Sequence, residues 1–254
     1  MNMSNVSMIN SSVYTDYGKF ASGKAVQSAT DGAAELGIIQ KQQMQVNTYD
    51  IGANNIKNVS GLANITDGAL SEISDYLGRI HELSIQSMNG ILSDSDKEGI
   101  QAEIDQMLQG IEQLAGTPMY NGMYLLNGTS QDINVASGSG NMSVSTGNMT
   151  LKALGLEDYN VMGNFNLEDV ENAMDKVSKL RSKIGAQTNA LEYAYNYTTN
   201  VSLNTTASQS RLEDLDYPKA ISEQKKKEVL QEYAFTMQKK FMENGINLAQ
   251  RLFL

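Results

Sequence analysis

The sequence contains no cysteine and no tryptophan, and His81 is its only histidine. Without cysteine, the chain can form neither a disulfide bond nor a thiolate ligand for a metal ion. His81 is followed by Glu82, as in the zinc-protease helix motif, but Ile85 stands where the second histidine ligand is needed. No serine nucleophile with a histidine base is evident. We therefore expect no enzyme activity, no cofactor and no bound metal ion.

Proline is scarce as well, since Pro118 and Pro218 are the only two, and the aromatic residues are limited to 12 tyrosines and 5 phenylalanines. Long helices contain few prolines, because the ring removes an N–H donor and clashes with the preceding turn. The composition therefore favours a protein built of long helices over a compact α/β enzyme.

Basic residues are outnumbered by acidic ones, and the formal net charge is −10. This balance argues against a nucleic-acid partner, because binding phosphates requires clustered lysine and arginine. The one basic cluster, residues 225–227, is flanked by Glu223 and Glu228 and is interpreted as a solvated helix face. The carboxylate pairs Asp94/Asp96 and Glu213/Asp214 lie near predicted helix ends and are interpreted as caps or surface residues.

Long apolar runs are missing too. No stretch approaches the ~18 apolar residues needed to span a bilayer, so membrane insertion is not expected. Residues 1–8 lack the basic region and apolar stretch of a cleaved signal peptide. We expect any export to proceed without one.

Amphipathic helices are predicted over most of the chain. Starting at Tyr49, apolar and small residues recur every three or four positions, which indicates a helix packed along its length. This seam consists of Gly52, Ile56, Val59, Ala63, Thr66, Leu70, Ile73, Leu77, Ile80, Ser84 and Ser87. The same spacing in residues 100–114 and 170–215 predicts two more helices. The three would form a bundle, since none can bury its apolar stripe alone.

Particular residues predict where these helices begin and end. Asn89-Gly90 would end the first helix with a left-handed glycine cap. Ser95 and Glu98 would form a capping box at the start of the second. Asn166 would cap the third helix, and Pro218 would break it by disfavouring helical geometry in the preceding residue.

The region from Tyr120 to Phe165 is rich in glycine and asparagine. Asn121-Gly122 and Asn127-Gly128 predict turns, and alternating stretches such as residues 142–145 predict strands. We interpret this region as β-hairpins and turns.

The last 36 residues carry apolar side chains at helical spacing as far as the end of the chain. Such a face on a polar helix is unusual for a soluble monomer and indicates a surface covered by a partner; docking on the chain's own bundle is the alternative. The candidate self-assembly residues are Leu230, Tyr233, Met237, Phe241, Leu248, Leu252 and Leu254.

The order of these pieces resembles the bacterial flagellin family over about residues 20–128 and 166–254. The matching pieces include residues 21–23, 28–34, 66–70, 79–83, 101–104, 121–126, 180–187 and 210–217. The resemblance implies a mainly α fold, an elongated bundle of long helices with a small β-hairpin region in the middle of the chain and terminal helices paired as a coiled coil. The middle of the chain is too short for the outer domains that many flagellins carry, and the segment before Gly23 is shorter and more polar than is usual in the family. We therefore expect a short flagellin with inner and rod domains only and an atypical, shortened N-terminus.

The resemblance also implies a division into domains. The expected segments are 1–32, the shortened N-terminal part of the inner domain; 33–118, the N-terminal rod-domain helices; 119–165, the β-hairpin and turn region; 166–216, the C-terminal rod-domain helix; and 217–254, the C-terminal inner-domain helix.

The function implied is that of an extracellular structural subunit of the bacterial flagellar filament, which self-assembles through its N- and C-terminal helices. The partners implied are further copies in a helical filament, a flagellar export chaperone, and cap and junction proteins. A hook–filament junction protein is one alternative. A secreted relative that does not polymerise and acts as a host innate-receptor ligand is another.

The helix around residues 79–83 is similar to the surface that Toll-like receptor 5 reads in many flagellins. The matching positions are Arg79, Leu83, Gln86 and Glu103. In the alternative interpretation, Leu83 packs within the bundle and Arg79 is solvated or bonds a neighbouring subunit. We favour self-contact as the main role of this face.

Overall fold

The computed structural model describes residues 17–130, 132–138, 140–163 and 165–252, with side chains described as far as Leu248. After a short helical stretch at residues 17–22, its helices are α1 (Ala33–Ser87), α2 (Asp94–Gly116), α3 (Leu151–Leu154), α4 (Leu167–Glu213) and α5 (Tyr217–Leu252). Its strands are β1 (Met119–Tyr120), β2 (Met123–Tyr124), β3 (Ile133–Ala136) and β4 (Asn141–Val144). The predicted mainly α fold, with small hairpins only in the middle of the chain, is confirmed.

The chain divides into two compact units. One combines the chain up to Val46 with the chain from Leu203 onward, and the other is Asn47–Ser202. We call them the terminal unit and the central unit. The division into five segments made from the sequence stays a prediction.

In the central unit, α1 and α4 run antiparallel. The order of their contacts shows this: Asp50 accepts a hydrogen bond from Ser202 at 2.6 Å, and Asp67 pairs with Arg181 at 3.1 Å. Between them the ammonium group of Lys57 lies 5.3 Å from the ring centre of Tyr195. As the residue number rises along α1, the partner's number falls along α4.

The seam predicted along α1 forms the core of the central unit. Every predicted position from Gly52 to Ser87 is buried, and Tyr49 is half-buried. Leu70, Leu77 and Ile80 are completely enclosed. Burying a side chain of this kind stabilises the fold by ~1.5–3 kcal/mol, so the seam holds the helices together.

Three hydroxyl residues lie in this apolar seam, and each donates a hydrogen bond within its own helix. Thr66 donates to the carbonyl of Leu62 at 2.9 Å, and Ser84 to that of Ile80 at 2.7 Å. Ser87 donates to the carbonyl of Ser84 at 2.7 Å. Because each hydroxyl has a partner, burying it avoids the cost of an unpaired polar group.

The start of α2 corrects one prediction. Its N-cap is Ser93, whose side chain accepts from the N–H of Asp96, while the Asp96 carboxylate accepts from the N–H of Ser93 at 3.0 Å. The capping box predicted at Ser95 and Glu98 is therefore wrong, because the helix starts two residues earlier. The cap role of Asp96 and the Asn166 cap of α4 are confirmed, the latter by a 3.1 Å hydrogen bond from the N–H of Glu168 to the Asn166 side chain.

The end of α1 corrects a second prediction. The N–H groups of Met88 and Asn89 donate to carbonyls three residues back, at 3.2 and 3.1 Å. These tighter turns end the helix, and the φ angle of Gly90 lies outside the left-handed region. The prediction of a left-handed glycine cap at Gly90 is wrong.

The predicted hairpins are confirmed. β1 and β2 pair antiparallel around Asn121-Gly122, with Tyr120 opposite Met123. The φ angles of Asn121 and Gly122 are 49° and 79°, which a two-residue hairpin turn requires. β3 and β4 pair from Ile133 opposite Val144 to Ala136 opposite Asn141.

Candidate interaction surfaces

Helix α5 exposes a row of large apolar side chains. Leu230 is 52% exposed, Tyr233 62%, Phe241 65% and Leu248 62%. We call these four residues the α5 apolar face. Met237, on the same side of the helix, is half-buried. Among the other candidates, Leu254 and the side chain of Leu252 lie outside the described residues.

The side of α5 that packs within the terminal unit carries small and polar residues. Ala234 is buried, and half-buried residues flank it at spacings of three and four. They are Ala220, Gln224, Lys227, Gln231 and Gln238. Sequence reasoning missed this side, because it followed the large apolar residues and not the alanine and glutamine repeat. Ala234 lies four residues after Leu230 and seven before Phe241, so this packed strip borders the α5 apolar face, whose large side chains remain more than half exposed.

The connection between α4 and α5 is clamped to the turn after residue 22. The N–H of Ala25 donates to the carbonyl of Glu213 at 2.7 Å, and the N–H of Leu215 donates to the carbonyl of Gly23 at 2.8 Å. An ion pair joins Lys24 to Glu213, whose side chain is only 12% exposed. The hydrogen bond from Lys24 is the main reason why the pKa of Glu213 lies below its ordinary value. The sequence position of Glu213 had indicated a cap or a surface residue, and for this residue that interpretation is wrong.

A second carboxylate organises the same turn. Asp31 accepts hydrogen bonds from the N–H groups of Gln27 and Ser28 at 3.2 and 3.0 Å and from the Ser28 hydroxyl at 2.9 Å. It also pairs with Lys19 at 2.8 Å. The Lys19 contact and then the Ser28 hydroxyl hold the pKa of Asp31 well below its usual range. Ionised Asp31 therefore fixes the path of residues 19–31.

The candidate receptor positions on α1 and α2 form an ion-pair cluster. Arg79 donates from Nε and Nη2 to one carboxylate oxygen of Glu103 at 3.1 and 2.9 Å, and from Nη1 to Glu82 at 3.2 Å. The hydrogen bond to Glu103 is the main cause that raises the pKa of Arg79. The cluster joins α1 to α2 at the surface, and its charged groups remain accessible to a partner.

Of the four candidate receptor residues, only Arg79 and Glu103 are in direct contact with each other. Gln86 is exposed on α1 and makes no part of the ion-pair cluster. Leu83 is 2% exposed and belongs to the hydrophobic core. This burial fits the alternative interpretation, in which Leu83 packs within the bundle, and the four candidate contact residues stay a prediction.

The lone histidine lies beside an acid on α4. Nε2 of His81 is 3.5 Å from the carboxylate of Glu171. In the part of the chain that the structure describes, no group of three or more histidine, aspartate or glutamate side chains could hold a metal ion.

Among the described residues, no helix combines the length and the apolar character needed to cross a membrane.

Long antiparallel helices, a buried seam of small and apolar residues, and an apolar face left on the last helix define a structural protein of the long-helix class. Comparison with known protein families supports this class. The family models described as bacterial flagellin N-terminal helical region and bacterial flagellin C-terminal helical region match residues 1–131 and 167–244.

Individual relatives extend over most of the chain. It is 30% identical over 250 residues to the flagellar filament 30.7 kDa core protein of Treponema maltophilum, covering 90% of this chain and 88% of that protein. It is 31% identical over 244 residues to the flagellar filament 33 kDa core protein of Treponema phagedenis, covering 87% and 85%. Among solved structures, Bacillus cereus flagellin matches with a TM-score of 0.51 and 26% identity, over 57% of this chain and 88% of that chain.

The chain belongs to the bacterial flagellin family. It is a structural subunit of the flagellar filament, in which it forms a homo-oligomer. The protein is located in the flagellum.

Proposed function

We propose that copies of the chain assemble into the filament through the α5 apolar face. The observation that carries this proposal is that Leu230, Tyr233, Phe241 and Leu248 are all more than half exposed on one helix. Burying each would contribute ~1.5–3 kcal/mol. Association costs roughly 4–15 kcal/mol in lost freedom, so several of these side chains must be buried together.

Two changes to this face test the proposal. The double variant Leu230→Ser, Phe241→Ser replaces only exposed side chains and keeps Ala234 and the half-buried residues that flank it. We therefore expect it to fold and to stay monomeric in sedimentation and electron microscopy. Lys239→Ser, an exposed change on the opposite side of the same helix, is the matched control and should still form filaments. Normal filaments from the double variant would refute the proposal. Removing residues 251–254 should also abolish assembly, by loss of Leu252 and Leu254.

A role in the filament is favoured over a role at the hook–filament junction. The curated relatives described above are named as filament core proteins. A hook-associated protein of Vibrio parahaemolyticus, with a TM-score of 0.62 at 18% identity, supports the shared fold alone. We propose that cap and junction proteins and a flagellar export chaperone bind the chain as partners.

We also propose that the surface around Arg79 is recognised by Toll-like receptor 5. Arg79, Glu103 and Gln86 present accessible polar groups, and the sequence there resembles the receptor-binding surface of flagellins. Arg79→Ala should reduce signalling in a receptor-reporter assay on monomeric protein. Arg181→Ala removes a half-buried ion pair with Asp67 and should leave signalling unchanged. Equal signalling by both variants would argue against this surface.

A further inference from the structure

We propose that Asn89 is a site of spontaneous deamidation, at which the chain modifies itself without a catalyst. The chain holds four Asn-Gly pairs, at Asn89, Asn121, Asn127 and Asn244. Glycine after asparagine leaves the backbone nitrogen open to approach, since it carries no side chain. The structure places the four pairs in different surroundings, and these surroundings predict which pair deamidates fastest.

The reaction needs a free backbone N–H on the glycine. The Gly90 nitrogen attacks the side-chain amide carbon of Asn89, a C–N bond forms, and the bond to the amide nitrogen breaks. Ammonia leaves with the proton from Gly90, and a five-membered succinimide remains. Water then opens either carbonyl of the ring and gives aspartate or isoaspartate. The reaction transfers no electrons and requires only water.

The Asn89 pair meets these requirements. It lies between the end of α1 at Ser87 and the start of α2 at Asp94, and both residues are exposed. Among the described residues, no acceptor bonds the N–H of Gly90. Turning the Asn89–Gly90 peptide toward the side chain breaks only the 3.2 Å hydrogen bond from Leu92 to the Asn89 carbonyl and a long 3.4 Å contact from Ile91.

The Asn127 pair is protected by its hydrogen bonds. The N–H of Gly128 donates to the carbonyl of Gly147 at 3.2 Å. The side-chain oxygen of Asn127 accepts from the N–H and the hydroxyl of Thr129 at 3.0 and 2.6 Å. Both the attacking nitrogen and the amide under attack are therefore held in place.

The other two pairs are held by secondary structure. Asn121 and Gly122 form the turn of the β1–β2 hairpin, and rotating their peptide would disrupt the pairing of Tyr120 with Met123. Gly245 lies inside α5, where each N–H donates to the carbonyl four residues earlier. We expect Asn89 to react first.

The experiment is a time course on the intact, folded chain at mildly alkaline pH, followed by peptide mass spectrometry in water labelled with heavy oxygen. Trypsin isolates Asn89 in residues 80–97 and Asn244 in residues 241–251, and chymotrypsin cuts after Tyr124 and so separates Asn121 from Asn127. We expect the residue 80–97 peptide to convert at least about tenfold faster than the Asn127 peptide. At Asn127 the attacking N–H of Gly128 must first leave its acceptor, whereas the N–H of Gly90 has none among the described residues. In denaturant the rates at the two sites should converge.

Gly90→Ala is the matched variant. A Cβ at Gly90 meets no atom within 4 Å, so folding should be unaffected, while the added methyl hinders the attack and slows conversion at Asn89 by about tenfold. Conversion at Asn127 as fast as at Asn89 in the folded chain would overturn the proposal, as would an unchanged rate at Asn89 in Gly90→Ala.

Discussion

At the residue scale, Gly52 shows how closely two backbones approach in the central unit. A Cβ built on Gly52 would lie 2.3 Å from the carbonyl oxygen of Ser137 and 2.4 Å from its carbon. Ser137 belongs to the turn between β3 and β4, where Gly138 has a φ angle of 77°. The hairpin therefore rests directly on the backbone of α1.

Gly52→Ala should destabilise the protein by ~1–3 kcal/mol, the range for overpacking a filled site. The clash is with backbone atoms, which cannot move aside as a flexible side chain could. Gly61→Ala, on the same helix, meets no atom within 4 Å and should stabilise by ~0.5–1 kcal/mol through helix propensity. Urea denaturation measures both changes. Equal stability of the two variants would contradict the close approach at Gly52.

The carboxylate of Asp31 makes the turn after residue 22 sensitive to acid. Its pKa is lower in the folded chain than in the unfolded one. Its contribution to stability is therefore fully present above the ordinary aspartate pKa and is lost as pH falls through the lower, folded pKa. The amide resonances of Gln27 and Ser28 should stay in their bonded positions until well below the usual range of an aspartate, and in Asp31→Asn they should be displaced at every pH. Titration of these amides at the ordinary aspartate pKa would show that the contacts do not form.

At the element scale, the helix caps show what sequence can and cannot predict. Ser93 with Asp96, and Ser95 with Glu98, both fit the capping-box pattern. The spacing predicted that a helix starts here. Which serine caps it depends on how the chain leaves α1, and the pattern holds no information about that. The apolar seam of α1 was predictable, because burial along a helix repeats every three or four residues.

Replacing the two serines distinguishes the caps. Ser93→Ala should destabilise the protein by ~0.5–2 kcal/mol, because the N–H of Asp96 loses its acceptor. Ser95→Ala should change stability by much less, since Ser95 lies inside the first turn of α2. Thermal unfolding of both variants is the measurement. A larger loss with Ser95→Ala would support the capping box predicted from the sequence.

At the scale of the whole molecule, the chain divides its apolar residues between two tasks. The buried apolar core lies in the central unit, whereas Leu230, Tyr233, Phe241 and Leu248 of α5 are more than half exposed. Sequence spacing identified the α5 apolar face but could not tell whether the chain itself covers it. Whether the face is covered depends on tertiary contacts. The pairing of Lys24 with Glu213 also depends on them, because the two residues are far apart in the sequence.

The most direct test of assembly through α5 uses the absence of cysteine from the chain. A single cysteine is placed at Phe241, on the α5 apolar face, or at Lys239 as a control on the opposite side. Each variant is treated with a thiol-reactive label as monomer and as filament. We predict that the cysteine in Phe241→Cys reacts in the monomer and is protected in the filament, because another copy covers it. Labelling of that cysteine in intact filaments at the monomer rate would contradict the account.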